Sequence, residues 1–214
     1  MSVAVKICGL SEPLSLAAAI AGGASFVGFV FYPPSPRNLT IERAAELARS
    51  VPDGIARVAV VVDPSDDFLT RLLDKAPLEM LQLHGKETPE RVAAIKDRFR
   101  VRVMKAIPVA SESDPDAAKH YLGVVDWLMF DAKPPKDASA MPGGNARSFD
   151  WRILSSRRWP VPWMLSGGLD PDNLTEAASL TRAPALDVSS GVESAPGVKD
   201  VARIRLFLAR AKAL

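Results

Sequence analysis

Eight short apolar runs alternating with longer amphipathic stretches predict an α/β chain folded as a (β/α)8 TIM barrel, one domain over residues 1–214. Three observations carry that expectation. Strands and helices alternate throughout, so each return crosses over through a helix and the strands run parallel. The eight pairs fit 214 residues, the small end of the barrel's range. The turn after the first strand reads Cys8-Gly9-Leu10-Ser11, not the G-x-G-x-x-G of a dinucleotide-binding open sheet.

The strand candidates are the β-branched or aromatic runs 3–8, 26–31, 57–62, 79–83, 101–106, 126–131, 161–166 and 184–188, each set off by turn residues. Helical periodicity fills Glu12 to Ala21, Ile41 to Ser50, Phe68 to Lys75, Pro89 to Arg98, Asp170 to Leu180 and Val198 to Lys212. Two further stretches are weaker, the short Asp114 to Tyr121 and Phe149 to Ser155 with barely two turns. The proline-rich pieces Pro33-Pro34-Ser35-Pro36 and Pro134-Pro135 follow strands two and six, where a barrel carries its functional loops. No linker, charge block or low-complexity segment divides the chain.

Composition narrows the function classes. A 48% hydrophobic content suits a soluble globular domain, and a net charge of +2 leaves no basic footprint for nucleic acid. One cysteine excludes an internal disulfide framework, no Cys/His spacing suggests a metal, and a reducing cytoplasm is the expected locale. Neither a signal peptide nor an apolar run of membrane-spanning length is expected.

Period-two alternation sorts the strand residues by face. Val3, Val5 and Ile7 form an outward apolar set, turning Ala4, Lys6 and Cys8 inward. Leu81 and Leu83 face the helices, with Gln82 and His84 inward, and Leu186 and Val188 leave Asp187 inward. Lys6 inside a barrel needs a partner, and Asp187 is the one that closure brings alongside, because strands eight and one become neighbours. The plain alternatives are a Lys6 that snorkels out of the mouth and a Cys8 that is a small buried hydrophobe.

Ser166-Gly167-Gly168 after strand seven and Ser189-Ser190-Gly191 after strand eight fall where barrels form a phosphate site from backbone N–H groups. Gly143-Gly144 in the sixth loop offers a further donor or hinge. Asp131 ends the apolar run Trp127-Leu128-Met129-Phe130, where desolvation favours a protonated carboxyl able to act as an acid; its bland role is a turn cap. Arg37 follows the proline loop and suits bidentate recognition of a carboxylate, or is merely solvated.

Six segments together resemble the phosphoribosylanthranilate isomerase family: Lys6-Ile7-Cys8-Gly9-Leu10; Gly28-Phe29-Val30-Phe31 with Ser35-Pro36-Arg37; Leu81-Gln82-Leu83-His84-Gly85; Phe149-Asp150-Trp151; Ser166-Gly167-Gly168-Leu169 with Asn173; and Asp187 to Glu193 with Pro196-Gly197, Lys199 and Asp200. They stand in the family's order from first strand to last helix. The resemblance implies an Amadori rearrangement of N-(5-phosphoribosyl)anthranilate to 1-(2-carboxyphenylamino)-1-deoxyribulose 5-phosphate in tryptophan biosynthesis, with neither cofactor nor metal. By that similarity Asp131 matches the general acid and Cys8 the general base. Arg37 matches the group on the anthranilate carboxylate, with Gln82 and His84 in support, and Gly144, Gly167, Gly168, Ser190 and Gly191 match the phosphate grip. The chain departs from the family in Gly143-Gly144-Asn145-Ala146, where Gly-Gly-Thr-Gly is usual, and in Ser166, where alanine is usual. The rival readings are a histidine-pathway aminoaldose isomerase, which typically carries a carboxylate in place of Cys8, and a noncatalytic sugar-phosphate-binding barrel. The expected partner is the small substrate, with a monomer or homodimer.

Overall fold

The computed structural model describes residues 3–134, 143 and 148–214. Eight parallel strands close into a barrel: β1 (Ala4–Cys8), β2 (Phe26–Phe31), β3 (Ala56–Val61), β4 (Met80–Leu83), β5 (Arg102–Val109), β6 (Trp127–Ala132), β7 (Trp163–Leu165) and β8 (Ala185–Val188). Closure pairs β1 with β8, setting Lys6 directly opposite Asp187. Around the barrel lie α1 (Pro13–Ala21), α2 (Ile41–Arg49), α3 (Asp66–Lys75), α4 (Pro89–Phe99), α5 (Arg152–Ser155), α6 (Leu174–Thr181) and α7 (Val201–Lys212).

The helices start where side chains can satisfy their first N–H groups. Thr40, Ser65 and Thr88 accept from the N–H groups of Arg43, Phe68 and Arg91. The Ser65 cap explains why α3 begins at Asp66 and not at Phe68 as periodicity suggested. Asp200 caps α7 through Ala202 and Arg203, so Val198–Lys199 lies outside the expected helix and pairs as strand β10 with β9 (Glu193–Ala195). Asp170 accepts from the N–H groups of Asp172 and Asn173 in a closed turn, and α6 starts only at Leu174. The stretch Asp114–Tyr121 is a 3-10 helix, and 149–155 supplies only the single turn of α5.

The two faces of the strands build two different cores. Val5, Ile7, Val27, Phe29, Leu81, Phe130 and Leu186 pack outward against the helices. The lower barrel interior is filled by Phe26, Val58, Ala185 and the methionines Met80, Met104, Met129 and Met164, whose flexible stems fill an irregular space. Polar side chains take over above that layer, and the apolar residues there reduce to Cys8, Val30 and Val60 with Tyr32.

Candidate active site

A cleft opens at the C-terminal ends of the strands, where a barrel carries its functional loops. Its wall includes Cys8, Arg37, Gln82, His84, Asp131, Gly167, Gly168 and Ser190. Tyr32, Ser35 and Ser166 also face it. Lys6 is completely buried beneath the floor, Gly191 stands beside the wall against the Leu169 carbonyl, and Gly144 lies outside the described residues.

Lys6 Nζ donates to Asp187 Oδ1 at 2.9 Å, and Ser166 Oγ donates to the other oxygen, Oδ2, at 3.0 Å. Burial works against the ammonium, but Asp187 and the neighbouring Cys8 outweigh it and raise its pKa. How Lys6 reaches Cys8, two residues farther along β1, is explained by Gly28 on the adjacent strand. A Cβ at Gly28 would sit 3.0 Å from Cys8 Sγ and 3.1 Å from Lys6 Nζ, so the missing side chain is the space the two share. The Cys8 thiol is pushed up by burial, against the opposing pull of Lys6 and, more weakly, Lys199.

Across the cleft, Asp131 Oδ1 accepts from the Ala132 N–H at 2.9 Å and Oδ2 lies 3.1 Å from His84 Nε2. His84 Nδ1 in turn meets Gln82 Nε2 at 2.8 Å. Gly143 sits over this pair, where a Cβ would come within 2.8 Å of His84 Nε2 and 2.9 Å of Asp131 Oδ2.

Arg37 is buried, and Glu193 on the β9 strand grips it through both carboxylate oxygens, Nε to Oε1 and Nη2 to Oε2, each at 2.7 Å. Glu193 Oε1 also accepts from Lys199 Nζ at 2.7 Å, and Oε2 accepts from the Gly197 N–H at 3.1 Å. Burial pushes the Glu193 carboxyl up, but Arg37 and Lys199 outweigh it and hold it below its ordinary range; burial lowers Lys199 despite Glu193. Lys199 Nζ also donates to the Ser189 carbonyl at 2.9 Å, tying the hairpin to the loop after β8. Periodicity gave no sign of Glu193 or Lys199 as site residues, because neither lies on a barrel strand. The one available signal was their place in the closing segment of the family resemblance, Asp187 to Glu193 with Lys199.

Gly167 and Gly168 adopt φ values of +89° and +69°, a backbone closed to most L side chains, and a Cβ on Gly167 would stand 2.7 Å from the Ala132 nitrogen. The β7 turn is thereby pressed against the end of β6. Behind β4, Lys105 is buried on the helix side of β5 and donates to Glu87 Oε2 at 2.9 Å and to the Gly85 carbonyl at 2.8 Å. Glu87 accepts from the Gly85 N–H, which pins the backbone just after His84.

Residues 5–210 match the model of the N-(5'-phosphoribosyl)anthranilate (PRA) isomerase family. A protein of Paracoccus denitrificans named N-(5'-phosphoribosyl)anthranilate isomerase is 57% identical, covering all of this chain and 99% of its own. One of the same name from Rhodospirillum centenum is 56% identical over the whole of both. The crystal structure of phosphoribosyl anthranilate isomerase from Thermotoga maritima superposes with a TM-score of 0.87 at 35% identity, over 99% of this chain and all of that one. A structure of the isomerase in complex with reduced 1-(o-carboxyphenylamino)-1-deoxyribulose 5-phosphate matches with a TM-score of 0.83 at 33% identity, over 99% and 100%.

Proposed function

The chain belongs to the N-(5'-phosphoribosyl)anthranilate isomerase family and catalyses that aldose-to-ketose isomerisation in tryptophan biosynthesis; from there we propose that Cys8 and Asp131 are its base and acid. Asp131 protonates the furanose ring oxygen while the bond from that oxygen to C1 breaks, leaving an iminium between C1 and the anthranilate nitrogen. The iminium makes the C2 proton acidic, Cys8 removes it, and the resulting enolamine relaxes to the ketone. The observation that carries this reading is the placement of Cys8 on β1 and Asp131 on β6 on the wall of one cleft.

Arg37, pre-aimed by Glu193, receives the anthranilate carboxylate, with Gln82 and His84 on the adjoining wall. The phosphate is held at the β7 and β8 loops by Gly167, Gly168, Ser190 and Gly191, where positive φ at the first two lets the backbone approach an anion. Gly144 of the sixth loop belongs to the same proposed grip. The Lys6–Asp187 pair is structural and also lends the thiol its nearest positive charge. The whole chain acts as one barrel domain in the cytoplasm, as a monomer or homodimer. A Thermotoga maritima relative is described as dimeric, and light scattering on the purified protein decides between the two.

The test is turnover of freshly generated phosphoribosylanthranilate by the protein and by Cys8→Ala and Asp131→Asn. Each variant is expected to lose about 10²–10⁴-fold in kcat. Robust activity in either refutes the role given to that residue.

A further inference from the structure

An acid that works near neutral pH must hold a proton there, yet the immediate contacts of Asp131 favour the carboxylate. The Ala132 N–H donates to Oδ1, and His84 Nε2 faces Oδ2. The Ala132 N–H stabilises the ionised form, and so does His84 when Nε2 carries the hydrogen. Among the described residues no lysine or arginine pairs with Asp131, and His84 is its charge partner. The other ionisable groups of the cleft are committed elsewhere: Arg37 to Glu193, and Asp187 to Lys6, whose ammonium also neighbours Cys8. Tyr32 faces the same cavity, Lys105 behind β4 is taken by Glu87, and Lys133 beyond Ala132 is drawn out to Asp114.

The far side of the imidazole supplies a second observation. Gln82 Nε2 touches both His84 Nδ1 and Met129 Sδ, at 2.8 and 3.2 Å, while Gln82 Oε1 is buried with no hydrogen-bond partner. With Nε2 toward the ring, the amide donates to Nδ1, and the ring hydrogen then belongs on Nε2, facing Asp131 Oδ2. That is the pair without its catalytic proton. Adding one proton, whether as imidazolium with carboxylate or as neutral imidazole with carboxylic acid, puts a hydrogen on Nδ1 in both cases. The ring then needs an acceptor on that side, and a half-turn of the Gln82 amide brings Oε1 there.

We propose that Gln82, His84 and Asp131 form a single acid, in which His84 stores the proton that Asp131 delivers and the Gln82 amide turns over as the pair is loaded and discharged. This rests on the assignment of Asp131 as the acid. As the bond from C1 to the ring oxygen breaks, its electron pair stays on that oxygen. The Nε2 proton of His84 passes to Asp131 Oδ2, and the carboxyl proton passes to the ring oxygen. The positive charge leaves the imidazolium and ends on the iminium nitrogen. The proton consumed is matched by the one shed from the C2 hydroxyl when the enolamine becomes the ketone, so no outside acid is required. His84 is a positioning and storage residue, acting through Asp131.

The protein contains two histidines, so imidazole nitrogen signals from histidine-labelled protein can be assigned with His120→Gln alone. The His84 nitrogen signals are expected to change between the native protein and Asp131→Asn, in which Nε2 no longer faces a carboxylate oxygen. His84→Gln keeps a donor toward Asp131 but cannot store a proton. Its kcat should fall about 100-fold with KM within about threefold, and the corresponding limb of the kcat–pH profile should vanish. Unchanged His84 nitrogen signals in Asp131→Asn, or near-normal kcat with an intact limb in His84→Gln, overturn the proposal. Full activity of Asp131→Asn overturns the assignment of the acid itself. An inactive Asp131→Asn beside an unimpaired His84→Gln overturns only the storage role.

Discussion

Replacing Lys6 with methionine keeps most of the stem and deletes the ammonium. In the native chain that ammonium is completely buried and donates at 2.9 Å to Asp187, itself only 6% exposed at the side chain. After the change Asp187 keeps one neutral donor, Ser166 Oγ at 3.0 Å. Removing one partner of a buried pair costs about 3–5 kcal/mol, because the remaining charge is neither solvated nor compensated. For a chain of this length 1 kcal/mol moves Tm by about 2–4 °C, so calorimetry at pH 7 should record a fall of roughly 6–20 °C. The sign with pH is fixed. The penalty belongs to the orphaned carboxylate charge, so it is smallest in acid and grows as pH rises. Lys6→Met/Asp187→Asn should recover a substantial part of the loss, since the double variant has no orphan charge. A single variant within about 1 kcal/mol of the native protein, or strict additivity in the cycle, refutes the coupling.

Three other perturbations test the site. Burial pushes the Cys8 thiol up, and because it is the only cysteine, iodoacetamide labelling of the folded protein reads it alone; the midpoint should lie above about 8.5 and rise further in Lys6→Met. Gly28→Ala places a methyl 3.0 Å from Cys8 Sγ and 3.1 Å from Lys6 Nζ, and should cost about 1–3 kcal/mol of stability together with at least about tenfold in kcat; native kinetics would refute the shared-space reading. Glu193→Gln loosens Arg37 and should raise KM more than it lowers kcat. Because Arg37 and Lys199 hold the Glu193 carboxyl low, its contribution to stability is present above about pH 4.3 and disappears as pH falls through the lowered folded value, so the variant should show a flatter acid-unfolding curve.

Much of this molecule was legible in the chain because a closed barrel turns a period of two into an address. Once Val5 and Ile7 face the helices, Lys6 and Cys8 must face inward, and the same parity places Gln82 and Asp187. The starts of α2 and α4 were readable where Thr40 and Thr88 cap them, whereas periodicity passed over the caps at Ser65 and Asp200. Asp114–Tyr121 and 149–155 gave only weak signals because each is too short for 3.6 periodicity to separate one turn of α-helix from 3-10 helix. The grip of Glu193 on Arg37 spans 156 residues and depends on a hairpin outside the barrel, so no local pattern encodes it. Gly28 is the intermediate case. A glycine inside an otherwise bulky strand announces a close approach but does not say which side chains make it.

The electrostatics of the cleft also bear on the order of the chemical steps. In the resting protein burial keeps Cys8 largely a thiol, and Lys6 cannot cancel that because its own ammonium is held by Asp187. A free thiolate is therefore scarce before ring opening, when there is no acidic C–H for it to attack. Ring opening changes the field, because it places a positive nitrogen one bond from C1 and two from C2, inside a buried site where water screens little. That charge acts on the C–H bond and on the sulfur together, acidifying one and stabilising the ionised form of the other. Lys6 and Lys199 oppose the effect of burial and the substrate's own cation adds to them, so that the thiol releases its proton to solvent and the sulfur then takes the C2 proton. Labelling of Cys8 in the presence of a cationic, nonisomerisable iminium analogue small enough to leave the sulfur open should show a lowered midpoint. An unchanged or raised midpoint would mean that the thiol is activated before the ring opens, and that the protein's own charges suffice.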